Sequence, residues 1–362
     1  MINIHVFNPY NTIGGGSISQ IGLNKVISSA NLFEKVYTYD LNTRLKKIKI
    51  ILNVISIVNS NNDYILIQGL FDIEYILFDL FLLNKKKLII IPRGAFVPSN
   101  MFHSVVKKTF LKKLLWKIFI KNRLNLCGLW IPTSNLERLR LLEVGANINN
   151  SIIIPDYFKG EERFLNDISN TVDLKVESQK YLLYVGRISR EKNLFFLIDV
   201  YLEIVKKYND YNLIIVGPID DFDLYKRIIK KIQKYKIQDK VIIHSNCSKS
   251  QLISYYNNCS TVLLPSHIES LGLIVLEAIY FNKYIFISNN VPFDLNDTNL
   301  GETLKLDVNL WVNQIDAYLS NEKKSSKSIT RENILNQYNF NVVSDLWNFN
   351  LLKLVQKYTI DK

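Results

Sequence analysis

The strongest constraint on this chain is a pattern that recurs along most of its length: a short run of β-branched and aliphatic residues, a turn, then a stretch with helical spacing. In the first half Ile2 to Phe7, Lys35 to Tyr39, Tyr64 to Ile67 and Leu88 to Ile91 read as strands. In the second half Tyr181 to Val185, Asn212 up to the Gly217 turn, Lys240 to Asn246, Thr261 to Pro265 and Lys283 to Ser288 do the same. Short apolar strands separated by helical patterns predict parallel sheets covered on both faces. At 362 residues the chain is too long for one average domain and suits two of this kind. Ser134 with Glu137 reads as a capping box and Gly145 as that helix's end, after which Ser151 to Phe158 is the expected last strand of the first domain. Polar residues from Lys159 to Lys180 predict the linker, with the boundary near residues 160 to 178.

The chemistry concentrates in LLPSHIESLGLIVLEA, residues 263 to 278, where a strand leaves through Pro265 and a polar turn enters a helix near Leu271. Glu269, Ser270, Leu271 and Gly272 lie where a helix offers its first N–H groups and the positive end of its dipole, a seat for phosphate. Gly272 admits close approach to the backbone. Glu269 and Glu277 stand roughly 12 Å apart along such a helix. A carboxylate accepts hydrogen bonds from a vicinal diol and repels phosphate, so a dipole-bound diphosphate between two carboxylates suits a nucleotide-sugar. The plainer alternative makes Glu269 a dipole partner and puts Glu277 on a solvated face. Upstream, YLLYVGRISREKNL places Gly186, Arg187, Lys192 and Asn193 between a strand and a helix from Leu194. Both cations would offset the charge of a diphosphate at the end of the sheet.

Other features are more open. Gly14, Gly15 and Gly16 join the first strand to the first helix, either pointing N–H groups at an anion or making a flexible loop. Gln68 and Arg93 follow two strands and are expected at one crevice; Arg93 would hold a phosphate or an acceptor, or form an interdomain ion pair. Asp221 and Asp223 have the spacing of a metal-binding pair, but opening a helix favours capping. Residues 104 to 123 interleave Lys107, Lys108, Lys112, Lys113, Lys117, Lys121 and Arg123 with apolar and aromatic side chains, a helix suited to an anionic membrane surface or to a core with a solvated face. The formal charge of +12 favours the membrane, and no base-reading motif accompanies it to suggest nucleic acid. Cys127, Cys247 and Cys259 are dispersed, and the four histidines show no metal-ligand spacing with them, so reduced thiols and no zinc site are expected. MINIHVFNPY lacks a signal-peptide start, and the apolar stretch from Tyr64 to Leu83 carries Asp72, Glu74 and Asp79, so a soluble or peripheral protein is expected.

Taken together, E-x7-E after a strand ending in Pro-Ser and the Gly-Arg…Lys-Asn loop resemble the signature of family 4, a large family of retaining glycosyltransferases; the likeness runs from about Tyr181 to Ser288. The resemblance implies the GT-B fold: two Rossmann-like, doubly wound α/β domains facing a central cleft, with a C-terminal helix crossing back to the first domain. The division it suggests is 1–165 for the acceptor side, 175–335 for the nucleotide-sugar side, and 336–362 for that helix, with Trp347, Phe349, Leu351, Leu352 and Leu354 as packing residues. It further implies a hexosyltransferase in which Glu269, Arg187 and Lys192 are catalytic. Gly15, Gly16, Gly186, Asn193, Ser270, Leu271, Gly272, Leu273 and Glu277 would bind the donor, and Gln68 and Arg93 would be acceptor or phosphate contacts. No cofactor or metal is expected. The acceptor would be a glycan, such as a polyprenyl-diphosphate-linked oligosaccharide, used for O-antigen, capsule or exopolysaccharide at the inner face of the cell membrane. Departures from the family pattern are Gln68 and Arg93, where histidines are usual, and Asn282, where glycine is usual. They keep two alternatives open, a nucleotide-sugar epimerase of the same fold and a non-catalytic carbohydrate-binding descendant.

Overall fold

A computed structural model describes residues 3–8, 15–29, 35–40, 44–60, 63–68, 81–93, 126–143, 145–164, 180–296, 298–320 and 331–360. The chain divides into two compact units, Met1–Tyr157 with Tyr338–Lys362, and Phe158–Gln337. In the first, β1 (Asn3–Asn8), α1 (Gly15–Ser29), β2 (Lys35–Asp40), α2 (Arg44–Ser60), β3 (Tyr64–Gln68), β4 (Leu88–Ile91), β5 (Leu129–Trp130) and α3 (Asn135–Glu143) follow in order. Their five strands form one parallel sheet, order β2-β1-β3-β4-β5. Its two faces carry separate cores. On one, Ile51, Val54, Ile55 and Val58 of α2 bury a stripe at helical spacing against Phe7, Ile65 and Ile90. On the other, Leu23, Val26 and Ile27 of α1 meet Ile4, Val6 and Leu66.

The second unit contains α4 (Gly160–Phe164), β6 (Lys180–Val185), α5 (Leu194–Lys207), β7 (Tyr211–Val216), α6 (Phe222–Lys234), β8 (Val241–His244), α7 (Lys249–Asn258), β9 (Thr261–Leu264), α8 (Leu273–Tyr280), β10 (Ile285–Ser288), β11 (Gly301–Leu304), α9 (Val308–Leu319) and α10 (Arg331–Gln337). Six parallel strands run β11-β10-β9-β6-β7-β8, the doubly wound order of a dinucleotide-binding fold.

Several expectations are corrected. Ser151 to Phe158 is not a strand; it makes a single bridge, Ser151 to Trp130. The expected linker opens as α4, because Phe164 is fully buried against Tyr280 and Phe281. β11, an edge strand with only Gly301 and Leu304 buried, is too weakly apolar to announce itself in sequence. The helical pattern that spans Thr330 to Tyr358 in the sequence is broken at Tyr338 and Asn339 into α10 and α11 (Phe340–Ile360). α11 belongs to the first unit, where Val343, Trp347 and Leu351 line up at i, i+4 and i+8 beside α1, and Ser344 Oγ lies 3.2 Å from Ser29 Oγ. Phe349 and Leu352 point the other way and are exposed. Cys127 and Cys259 are buried free thiols, with burial pushing Cys259 up to about 12; Cys247 is only partly buried. Among the described residues no helix is long and apolar enough to cross a membrane. The basic stretch 104–123 lies outside the described residues, as does most of the acidic segment holding Asp72, Glu74 and Asp79.

Trp347→Ala should lower stability by about 3–5 kcal/mol, because it empties a core site, whereas Leu352→Ala should change it by about 0.5 kcal/mol or less; denaturant unfolding measures both. A pH effect follows from His5, which is buried with Nε2 3.2 Å from Asp63 Oδ2 and Nδ1 3.0 Å from the Tyr39 hydroxyl. Burial lowers its pKa below the ordinary 6.5, and Asp63 offsets this only in part. A depressed folded-state pKa gives stability that is complete above the unfolded value and is lost as pH falls. Between about pH 7 and pH 5 the first unit should therefore weaken, and His5→Gln should flatten that slope in urea titrations at each pH.

Candidate active site

The sheet order of the second unit determines where a ligand can sit. β6, first of its strands in sequence, lies at the centre, with β9 on one side and β7 on the other. Leu182 and Leu183 pair with Thr261 and Val262, and the loops leaving β6 and β9 diverge at the carboxyl ends, the switch point where doubly wound folds bind ligands. The Gly186 loop and the Glu269 turn are thereby neighbours, although the chain between them forms two further strands and three helices.

Lys192 Nζ donates to Glu269 Oε1 at 2.5 Å, and Ser266 Oγ donates to the same oxygen at 2.8 Å. The pair is largely withdrawn from solvent, with side chains 13% and 10% exposed, so Lys192 is not an ordinary surface cation. The His267 N–H donates to the Glu191 carbonyl at 2.7 Å, fastening the two loops through the backbone as well. Arg187 donates from Nη1 to Asp220 at 2.5 Å and from Nη2 to Glu191 at 3.0 Å. Burial alone would lower its pKa; Glu191, Asp220 and Glu269 outweigh this and raise it. Below them the fully buried Tyr184 donates to the Arg187 carbonyl at 3.0 Å, and burial, reinforced by Glu269 and Glu191, pushes its phenol well above the usual value. Arg187, Lys192 and Glu269 are thus each held by neighbouring side chains at the carboxyl end of the sheet.

The other expected residues fall as follows. Gly186 directly follows β6, and Asn193 takes a left-handed φ of 56° to start α5. Ser270, Leu271, Gly272 and Leu273 lead into α8, which starts at Leu273 rather than Leu271, with Gly272 at φ 87° as its N-cap. The first N–H groups of any helix lack partners within it, and those of α8 begin here. Glu277 is not solvated: it is 1% exposed, and its Oε2 accepts from the Tyr256 hydroxyl at 2.8 Å. Asp221 caps α6 by accepting from the Leu224 N–H and also takes Arg190; the backbone bond, then Arg190, outweighs burial and lowers its pKa. Asn282, in place of a usual glycine, adopts φ 55°, a conformation asparagine tolerates.

In the first unit Gly15 and Gly16 open α1, while Gly14 lies outside the described residues. Gln68 and Arg93 come together: Arg93 Nε and Nη2 donate to Gln68 Oε1 at 3.2 and 3.1 Å, and Nη1 is paired with Asp156. Asp156 belongs to the same unit, so the ion pair is not interdomain. Sequence reading missed Asp220, Glu191, Ser266 and Tyr256. Asp220 had one discoverable signal, its place in the turn that follows Gly217, the counterpart in β7 of the turn after Gly186 that carries Arg187.

The two parallel α/β units have the GT-B fold. A structure of Alr3699/HepE from Anabaena in complex with UDP and glucose aligns with a TM-score of 0.72 at 15% identity, covering 96% of this chain and 98% of that one. Residues 168–332, all within the second unit, match the family model described as glycosyl transferases group 1. An uncharacterized glycosyltransferase of Haemophilus influenzae is 30% identical over 40% of this chain and 43% of its own length. The amylovoran biosynthesis glycosyltransferase AmsD of Erwinia amylovora is 27% identical over 31% and 30%, respectively. The chain thus spans less than half the length of these two relatives.

Gly272→Ala tests the N-cap. A side chain at φ 87° costs about 1–2 kcal/mol, and the new Cβ would stand 3.0 Å from Val291 Cγ1, so the chemical-denaturation midpoint of the second unit should fall.

Proposed function

We propose that this chain is a glycosyltransferase that moves a hexose-type sugar from a nucleoside-diphosphate donor to a hydroxyl of a glycan acceptor, with retention at the anomeric carbon. The observation that carries this reading is the Lys192–Glu269 pair beside Arg187 at the switch point of the second sheet. Arg187 and Lys192 would take the diphosphate charge as the C1–O bond to phosphate breaks, aided by the first N–H groups of α8. Glu269 would hold the sugar hydroxyls, and Glu277, oriented by Tyr256, the ribose. The acceptor oxygen would attack C1 from the face the phosphate leaves, passing its proton to the departing phosphate oxygen. This route requires no protein nucleophile and no metal.

The likeness to AmsD, an amylovoran biosynthesis glycosyltransferase, supports assigning the pathway to surface polysaccharide. A lipid-linked acceptor at the inner face of the cell membrane fits the formal charge of +12 and the basic stretch 104–123. The test is a donor panel monitoring released nucleoside diphosphate with and without lipid-linked acceptors, with the product anomer read by NMR. Lys192→Ala and Glu269→Ala should each cut transfer by about a hundredfold or more without unfolding the protein, and a chelator should leave transfer intact. Transfer unaffected by both substitutions would remove the assignment.

A further inference from the structure

Arg187 is held from two loops at once, and one of its partners lies outside every motif of the site. Asp220 follows β7, and its Oδ2 accepts from Arg187 Nη1 at 2.5 Å, while Glu191 accepts from Nη2 at 3.0 Å. The loop carrying Asp220 is itself fastened. The N–H groups of Asp220 and Asp221 donate to the Ile188 carbonyl at 3.2 and 3.1 Å, and the Ile188 N–H returns a bond to the Pro218 carbonyl at 2.8 Å. Gly217 sits so close that a Cβ there would lie 2.2 Å from the Gly186 carbonyl oxygen, so the turns after β6 and β7 pack as one piece.

We propose that Asp220 is the positioning residue for the diphosphate-binding arginine, working with Glu191 to aim the Arg187 guanidinium at the crevice; this rests on the donor-binding reading above. A guanidinium has five N–H donors, and two carboxylate bonds leave three for phosphate oxygens. Without those bonds the arginine side chain, 43% exposed, would be dispersed among rotamers and would have to be ordered by the ligand. The opposing effect is repulsion between the Asp220 carboxylate and a diphosphate. At 39% exposure that charge is screened by solvent, whereas the bond to Nη1 is direct. Positioning therefore outweighs repulsion, and removing the carboxylate weakens binding.

Isothermal titration with UDP, ADP and GDP tests this on the full chain. Wild type binds at least one of them; Asp220→Ala weakens that affinity about tenfold and Asp220→Asn less, with the thermal midpoint unchanged. In a double-mutant cycle the Arg187→Ala, Asp220→Ala pair binds no worse than Arg187→Ala alone, because Asp220 acts only through Arg187. Asp220→Glu recovers part of the loss. Affinity in Asp220→Ala equal to or tighter than wild type, or losses that add across the cycle, would overturn the positioning role while leaving the donor site standing. A wild-type chain that binds none of the three removes the donor-site reading, and the role of Asp220 falls with it.

Discussion

The pairing of β6 with β9 is the contact on which the second unit depends. It is a modest piece of parallel ladder, two residues of register in the heart of a six-stranded sheet. Because each strand is followed by its own loop at the carboxyl end, this adjacency places the Arg187–Lys192 segment against the Glu269 turn. The largely withdrawn Lys192–Glu269 pair and the His267 to Glu191 backbone bond then join the two loops directly. A withdrawn ion pair is costly to assemble and is maintained by surrounding hydrogen bonds. Here Ser266 supplies one, and its own carbonyl is in turn bonded by the Ser288 hydroxyl at the end of β10.

Electrostatics around the site are balanced rather than simply positive. Arg187 faces Asp220 and Glu191, Lys192 faces Glu269, and Arg190 faces Asp221. Cations held this way are fixed in direction, which favours a ligand of defined shape such as a diphosphate over diffuse anion attraction. The first unit shows the same economy at Arg93, whose guanidinium spans Gln68 and Asp156 and so knits the ends of β3 and β4 to the Pro155–Tyr157 segment.

Much of the fold was legible before any coordinates. The first four strands were located to within a residue or two because each is a short run rich in β-branched and aromatic residues, and β3 and β4 are buried along their whole length, although β2 is a largely exposed edge strand. The helix after Ser134 was equally readable: the Ser134 hydroxyl accepts from the Glu137 N–H, and Gly145 closes the helix at φ 76°. What failed did so for local reasons. Ser151 to Phe158 is apolar like a strand but continues past the sheet after one bridge, and α4 hides in a polar stretch because a single side chain, Phe164, anchors it. The split between α10 and α11 has no proline or glycine to mark it.

For the candidate site, residue types and spacing sufficed to nominate Glu269, Arg187 and Lys192, since phosphate and sugar chemistry limits which side chains are useful at the end of a strand. Sequence also determined that the chain would form parallel sheets, because alternating strand and helix periods leave little other choice. Only the tertiary structure decided that Asp220 bears on Arg187, that Tyr256 holds Glu277, and that Arg93 answers to Asp156. Those pairings follow from strand order and from which loops it brings side by side, and strand order is a global property that no window of sequence contains.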